Sequence, residues 1–377
     1  MSQSPRQLRA ILIAVCVALM AVGVWTGVAG GGGLLGMYLS ALLVDVASWR
    51  WLFALPVALV VVAGILAVRS VPNSREGQGF DVVGSLTSAV AAVSLIYALH
   101  EGLDRGRPFA VVGVLSAAAF VWWELRHPAP LLDVRLFRDR RLAGGSVALL
   151  VVFGVQAGIF VVLFPYFQAV LGWSGLRSTL ALMPMALLMM AGSGLTPRLR
   201  SRATMPAGIA LSGAGLALLA VLVSVDGGYL SVLPGMLAMG LGMGLAMTPA
   251  TEAITAALPT ERQGVASALN DVTRELGTAL GVALLGAIVS AGYRSAIDSR
   301  LDGVAAGTAE AARAGIANAL AAAPGNQSLV RAAQESFVDG WQRAMWAGVA
   351  VMAVLFVFVL AQGPRRVSRP RVRSSSD

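Results

Sequence analysis

Apolar residues run through this chain in blocks of about 20, with polar residues gathered between them. A helix rises about 1.5 Å per residue, so each block is long enough to cross roughly 30 Å of hydrocarbon. Ten such blocks are predicted: Val24 to Val44, Trp51 to Val68, Val82 to Leu99, Phe109 to Leu125, Gly145 to Phe164, Thr179 to Leu195, Met205 to Val225, Leu230 to Thr251, Leu276 to Tyr293 and Arg343 to Gln362. The start of the chain is ambiguous. Leu8 to Val44 is almost unbroken apolar sequence, too long for one crossing and barely enough for two. It reads either as one span with a protruding start or as two spans broken at Gly30 to Gly33, which would make eleven.

Composition agrees with the pattern. The chain is 57% hydrophobic and 12% charged over 377 residues, far from the roughly 25% charged residues of soluble domains. The net charge of +9 comes from arginine alone, because there is no lysine. These arginines sit between the apolar blocks, as topology signals do, instead of forming the stripe a nucleic-acid surface needs. No nucleic-acid partner is expected. One cysteine, Cys16, and two histidines, His100 and His127, offer neither a disulfide framework nor a metal site. No cofactor and no enzymatic activity are expected, since no cluster of Asp, Glu and His suggests catalysis.

The tail from Gly363 carries five arginines and is placed in the cytoplasm. Counting back from it puts both termini inside, with 19 arginines inside against 9 outside. Residues 294–342 then form one long outer loop, Ala-rich with scattered charges, expected to hold short interfacial or solvated helices.

Several segments, in order, resemble the drug:proton antiporters with about fourteen helices in the major facilitator superfamily. Trp25 to Asp45 and SWRWLF (Ser48 to Phe53) are similar to the family's fifth helix and the turn after it. FDVVG (Phe80 to Gly84) resembles the start of an extra helix pair, and PLLDVRLFRDRRL (Pro130 to Leu142) the linker beyond it. FPYFQAVLGWSGLRSTLALMP (Phe164 to Pro184) resembles the hairpin that opens the C-terminal bundle. GVASAL and FVDGW (Phe337 to Trp341) match later positions. The family's helices one to four have no counterpart before Trp25.

The resemblance implies an all-α integral membrane protein, a major-facilitator-type helical bundle of about 10 transmembrane helices. Its C-terminal six-helix half is complete and its N-terminal half truncated. Residues 1–69 would be the N-terminal bundle remnant, 70–126 two extra linker helices, 127–144 a basic cytoplasmic linker, 145–362 the C-terminal bundle and 363–377 a basic tail. The implied function is proton-coupled efflux of small amphipathic drugs or metabolites across a bacterial inner membrane. Its partners would be that substrate, protons and the lipid bilayer. The alternative is a truncated, non-transporting membrane protein, either a degenerate product or a scaffold that needs a partner chain or self-association.

The family's fifth-helix pattern G-x-x-x-G-P-x-x-G-G reads here as Gly32, Gly36, Met37, Ser40 and Ala41. Small residues remain for close helix contact, but the kinking proline is gone. Candidates for the substrate path are Gln156, Tyr166, Gln168, Glu252, Asn270 and Arg274. Glu252 also reads as a helix-end group reaching water, the more ordinary role for its place near the end of a span. Asn270 and Arg274, with Asp271 and Glu275, read as a polar turn opening a span, where Arg274 is either a functional charge or half of a local ion-pair cap. Met183, Met185, Met189, Met190, Met236, Met239 and Met243 offer a polarizable wall for bulky apolar ligands, or ordinary packing. Glycines at Gly154 and Gly158, Gly240 and Gly244, and Gly277 and Gly281 have the spacing for close helix crossings.

Overall fold

The computed structural model describes residues 36, 38–44, 46, 50–70, 81–128, 130, 134–199, 203–258, 263–322 and 325–362. Gly32, Met37, Asp45, the basic tail, and most of the first expected span lie outside them. Every regular element among the described residues is helical. The elements are α1 (Trp51–Ser70), α2 (Val82–Glu124), a 3₁₀ turn (Val134–Arg138), α3 (Arg140–Pro165), a π-helical turn (Tyr166–Val170), α4 (Gly175–Ala181) and α5 (Met183–Leu199). They continue with α6 (Thr204–Leu222), α7 (Gly228–Ala256), α8 (Gln263–Asp298), α9 (Ala306–Ala314), α10 (Ile316–Ala322) and α11 (Gln327–Ala361). Among the described residues seven helices are long and apolar enough to cross a membrane, and Trp51–Leu66 and Val82–Ala98 are shorter apolar helices.

The chain divides into two compact units. One is Met1–Arg75 with Trp173–Ala181. Its described part holds helical residues 38–44, α1 and α4. Val57, Leu59, Val60 and Ile65 of α1 are exposed, the surface a hydrocarbon solvent accepts. Ser40 and Ala41 lie on helix, and a Cβ added at Gly36 would meet no described atom within 4 Å.

The other unit is Glu76–Gly172 with Leu182–Asp377. It begins with α2, whose 43 residues would span about 65 Å if straight. Instead Trp123 Nε1 donates to Asp81 Oδ1 at 3.0 Å, and Tyr97 meets Phe109 edge-on with centroids 4.5 Å apart. The element is therefore a hairpin of two arms, Val82–Ala98 and Arg105–Glu124. Gly106 faces the carbonyl of Ala98 so closely that a Cβ there would collide with it, which keeps the reversal tight. Pro108 sits in the first turn of the second arm, where its missing N–H costs no helix bond. At the open end Asp81 caps the first arm by accepting from the Gly84 N–H at 2.8 Å. Burial raises the Asp81 carboxyl, but the Gly84 N–H, the Trp123 indole, the charge of His127 and a hydrogen bond with Glu124 together hold it below its ordinary value.

Six helices, α3, α5, α6, α7, α8 and α11, form the bundle. Glycine decides how closely they cross, because small residues let backbones touch where lipid supplies no hydrophobic force between helices. Gly154 and Gly158 of α3 face Gly277, Gly281 and Leu285 of α8, and a Cβ on Gly281 would collide with the Gly154 carbonyl. The contacts rise together along both helices, so α3 and α8 are parallel. Gly240 and Gly244 of α7 meet the carbonyls of Met185 and Met189 of α5 in the same sense. Gly208 and Gly215 of α6 meet the carbonyls of Gly242 and Gly235 in reverse order, so α6 and α7 are antiparallel. All three glycine spacings seen in the sequence are thus crossing points.

Contacts also sort the helix ends. Gly144 and Gly145 of α3 lie against Gln362 and against Ala250 and Ala253 of α7 at one end. At the other, the buried Tyr166 donates to the Ser224 carbonyl at 3.0 Å and packs on Trp341 with centroids 5.3 Å apart. Trp341 Nε1 in turn donates to the Leu219 carbonyl at 2.9 Å.

Two expected boundaries are corrected. The span that was to open at Leu276 lies within α8, which begins at Gln263, and the last span lies within α11, which begins at Gln327. Much of the segment expected as a long outer loop is therefore helix continuing from the bundle, plus the short α9 and α10. These are docked: Tyr293 Oη donates to the Ala312 carbonyl at 2.7 Å, and Arg300 reaches Ser336 at 2.6 Å and Asp339 at 3.0 Å on α11.

Candidate functional site

Gln156 and Phe153 lie one turn apart on α3, so their side chains share a face of that helix. Gln156 Nε2 contacts the Met189 sulfur of α5 at 3.6 Å, a weak donor–thioether contact that a better acceptor can displace. Phe153 receives Arg274 of α8, whose guanidinium carbon stands 4.5 Å from the ring centroid. Three helices thus place an amide, a thioether, an aromatic face and a cation on neighbouring positions. Gln156 and Met189 are half-buried and Arg274 is exposed, which leaves the group open to a ligand.

Arg274 is not part of a polar turn at a helix start. It stands three turns into α8, where it cannot serve as a terminal cap. The local ion pair with Asp271 is present at 3.8 Å, with side chains 44% and 65% exposed, so it holds Arg274 weakly. Asn270 precedes Arg274 by one turn on the same face, and its buried Oδ1 has no hydrogen-bond partner among the described residues. A buried acceptor without a donor is uncommon and marks a place where a donor can bind.

The remaining candidates lie elsewhere. Tyr166 is fully buried and its hydroxyl is spent on α6–α7 carbonyls. Gln168 is exposed in the π-helical turn that follows Pro165. There Gln334 of α11 donates to the Ala169 carbonyl at 3.1 Å, supplying a bond the irregular backbone lacks. Glu252 is exposed in the last turns of α7. The methionines divide: Met185, Met236, Met239 and Met243 are buried between helices, Met183 and Met189 are half-buried, and Met190 is exposed. Phe153 was absent from the sequence candidates. Its only signal was its position one turn before Gln156.

These features define an all-α integral membrane protein whose six-helix bundle carries a mixed polar and apolar face on α3, α5 and α8. The family model for the Major Facilitator Superfamily matches residues 18–282, and the chain belongs to that superfamily. It is 30% identical over 373 residues to the multidrug resistance protein Stp of Mycobacterium tuberculosis, covering 92% of this chain and 69% of Stp. It is 32% identical over 289 residues to the puromycin resistance protein pur8 of Streptomyces alboniger, covering 71% of this chain and 56% of that protein. A bacterial homologue of the human lysosomal transporter Spinster, solved inward-facing and unoccupied, aligns with a TM-score of 0.49 at 15% identity over 74% of this chain and 64% of its own.

Proposed function

We propose that this protein exports small amphipathic compounds, drugs or metabolites, across a bacterial plasma membrane, with proton entry as the driving force and both termini in the cytoplasm. The observation that carries the reading is the α3–α5–α8 face, where Gln156 contacts Met189 and Arg274 covers Phe153. Soft and aromatic groups with a few polar ones suit ligands that share amphipathic character but not shape. Kinship with two resistance proteins supports the same substrate class. In this reading the hairpin α2 joins the helices before it to the six-helix bundle, and the arginine-rich 127–144 segment is the cytoplasmic linker between them.

Arg274 is the side chain on this face with no rigid partner, because its ion pair is exposed and its other contact is an aromatic ring. It is proposed to move between Phe153 and the substrate or a carboxylate as the cavity loads and empties. Cells expressing the chain should extrude an amphipathic fluorescent dye faster than cells carrying an empty vector. Arg274→Ala should slow that extrusion by about two- to fivefold, the value of an exposed cation–π contact. Equal rates in all three strains would leave the proposal without support.

A further inference from the structure

We propose that a cleft between α2, α3 and α8 holds one membrane phospholipid with an anionic head group. The cleft has a volume of about 990 Å³, at the upper end of the range for ligand pockets. Val93 and Tyr97 of α2, Val161 of α3, Ala283 and Gly286 of α8, and Phe337 of α11 line its apolar part. Tyr97 is held in place by its edge-on contact with Phe109, with centroids 4.5 Å apart. Two arginines, Arg294 and Arg313, stand on the lining. Arg313 is paired with Asp298 at 2.6 Å, whereas Arg294 makes no hydrogen bond or ion pair with any described residue. The cleft therefore combines an apolar trough with one uncompensated positive charge.

The chemistry of the occupant follows from that combination. The α3, α8 and α11 walls belong to helices long and apolar enough to cross the membrane, so the trough is filled from hydrocarbon and not from water. An unpaired arginine close to the end of a transmembrane helix attracts lipid phosphate, and each such cation near an anionic head group contributes about 1 kcal/mol. An acyl chain accounts for the trough, and a net-negative head group accounts for Arg294. A zwitterionic lipid brings its own cation and satisfies the site less well. Gly286 matters for the shape, because a Cβ there would stand 3.8 Å from Val161 Cγ1, and a larger side chain would fill the trough.

The experiment is native mass spectrometry of the full chain in mild detergent, incubated separately with phosphatidylglycerol and phosphatidylcholine. The expected result is one retained phosphatidylglycerol per chain, held about fivefold better than phosphatidylcholine, the equivalent of that single contact. Arg294→Gln should erase the preference, and Gly286→Leu should abolish retention of either lipid while the lipid-free melting temperature stays unchanged. Should Gly286→Leu fail to fold, Ala287→Phe obstructs the same trough from the next position. Equal retention of the two lipids by the unmodified chain would overturn the proposal. So would undiminished retention in Arg294→Gln together with Ala287→Phe, or a second copy of the chain retained in place of lipid.

Discussion

The six-helix bundle and the α2 hairpin are both apolar and both helical, yet they are held together by different means. The bundle is joined along its length, by glycines that bring backbones into contact and by large side chains such as Trp341 and Tyr166 buried between helices. The hairpin is joined mostly at its ends, by the tight reversal at Gly106 and by the buried Asp81 and Glu124 with the half-buried Trp123 at its base. Along its arms Val82, Leu86, Val111 and Leu115 are exposed. Hydrophobicity does not distinguish the two, since lipid solvates an outward valine as well as a neighbouring helix does. The placement of small residues and buried polar contacts does, at the ends of the hairpin but along the whole bundle.

The largest effect expected from testing this contrast is Trp341→Ala. It removes the bond to the Leu219 carbonyl and the packing against Tyr166, and should cost about 3–5 kcal/mol of bundle stability, read by thermal or denaturant unfolding in detergent. Gly281→Ala comes next, at about 1–3 kcal/mol by the same measurement, because its Cβ must displace the rigid Gly154 carbonyl. Gly113→Ala in the hairpin meets the Leu95 side chain first, at 2.7 Å, with the Leu95 backbone nitrogen further off at 3.0 Å, and should cost less than Gly281→Ala. The reverse order would remove the distinction.

Asp81→Ala should cost about 1 kcal/mol, the usual value of a lost N-cap, and should raise amide exchange at residues 84–88 while leaving α8 protected. Because the folded Asp81 carboxyl lies below its ordinary value, its stabilisation is complete above the ordinary carboxyl range. It is lost as pH falls through the lowered folded value, so acid should loosen the hairpin base before the glycine crossings. The smallest effect belongs to Val111→Ala: this side chain is 58% exposed and its loss should change stability by less than about 0.5 kcal/mol.

The sequence made the helices legible because a span must be continuous and apolar, and the glycine pairs legible because their spacing is local. Helix ends were harder to read. Asn270 to Glu275 look like a turn on polarity alone, but nothing there breaks a helix, and α8 runs through them from Gln263. The same holds for the residues before Arg343, which are polar enough to read as loop and helical enough to extend α11 back to Gln327. Of the candidate site, Gln156 and Arg274 were legible as polar residues in apolar surroundings. Their partners Met189 and Phe153 are set by which helices cross, a property of the fold that one sequence does not display. Tyr166 carried the same polar signal as Gln156, and only its burial against Trp341 separates the two roles.

The measurement that bears most directly on the account is flux through the purified chain in proteoliposomes, using an amphipathic cationic dye and an imposed pH gradient. Dye movement against the proton flow is expected, slowed by Arg274→Ala and left unchanged by Val111→Ala. Dye movement indistinguishable from protein-free liposomes, or equally fast in Arg274→Ala, would contradict it.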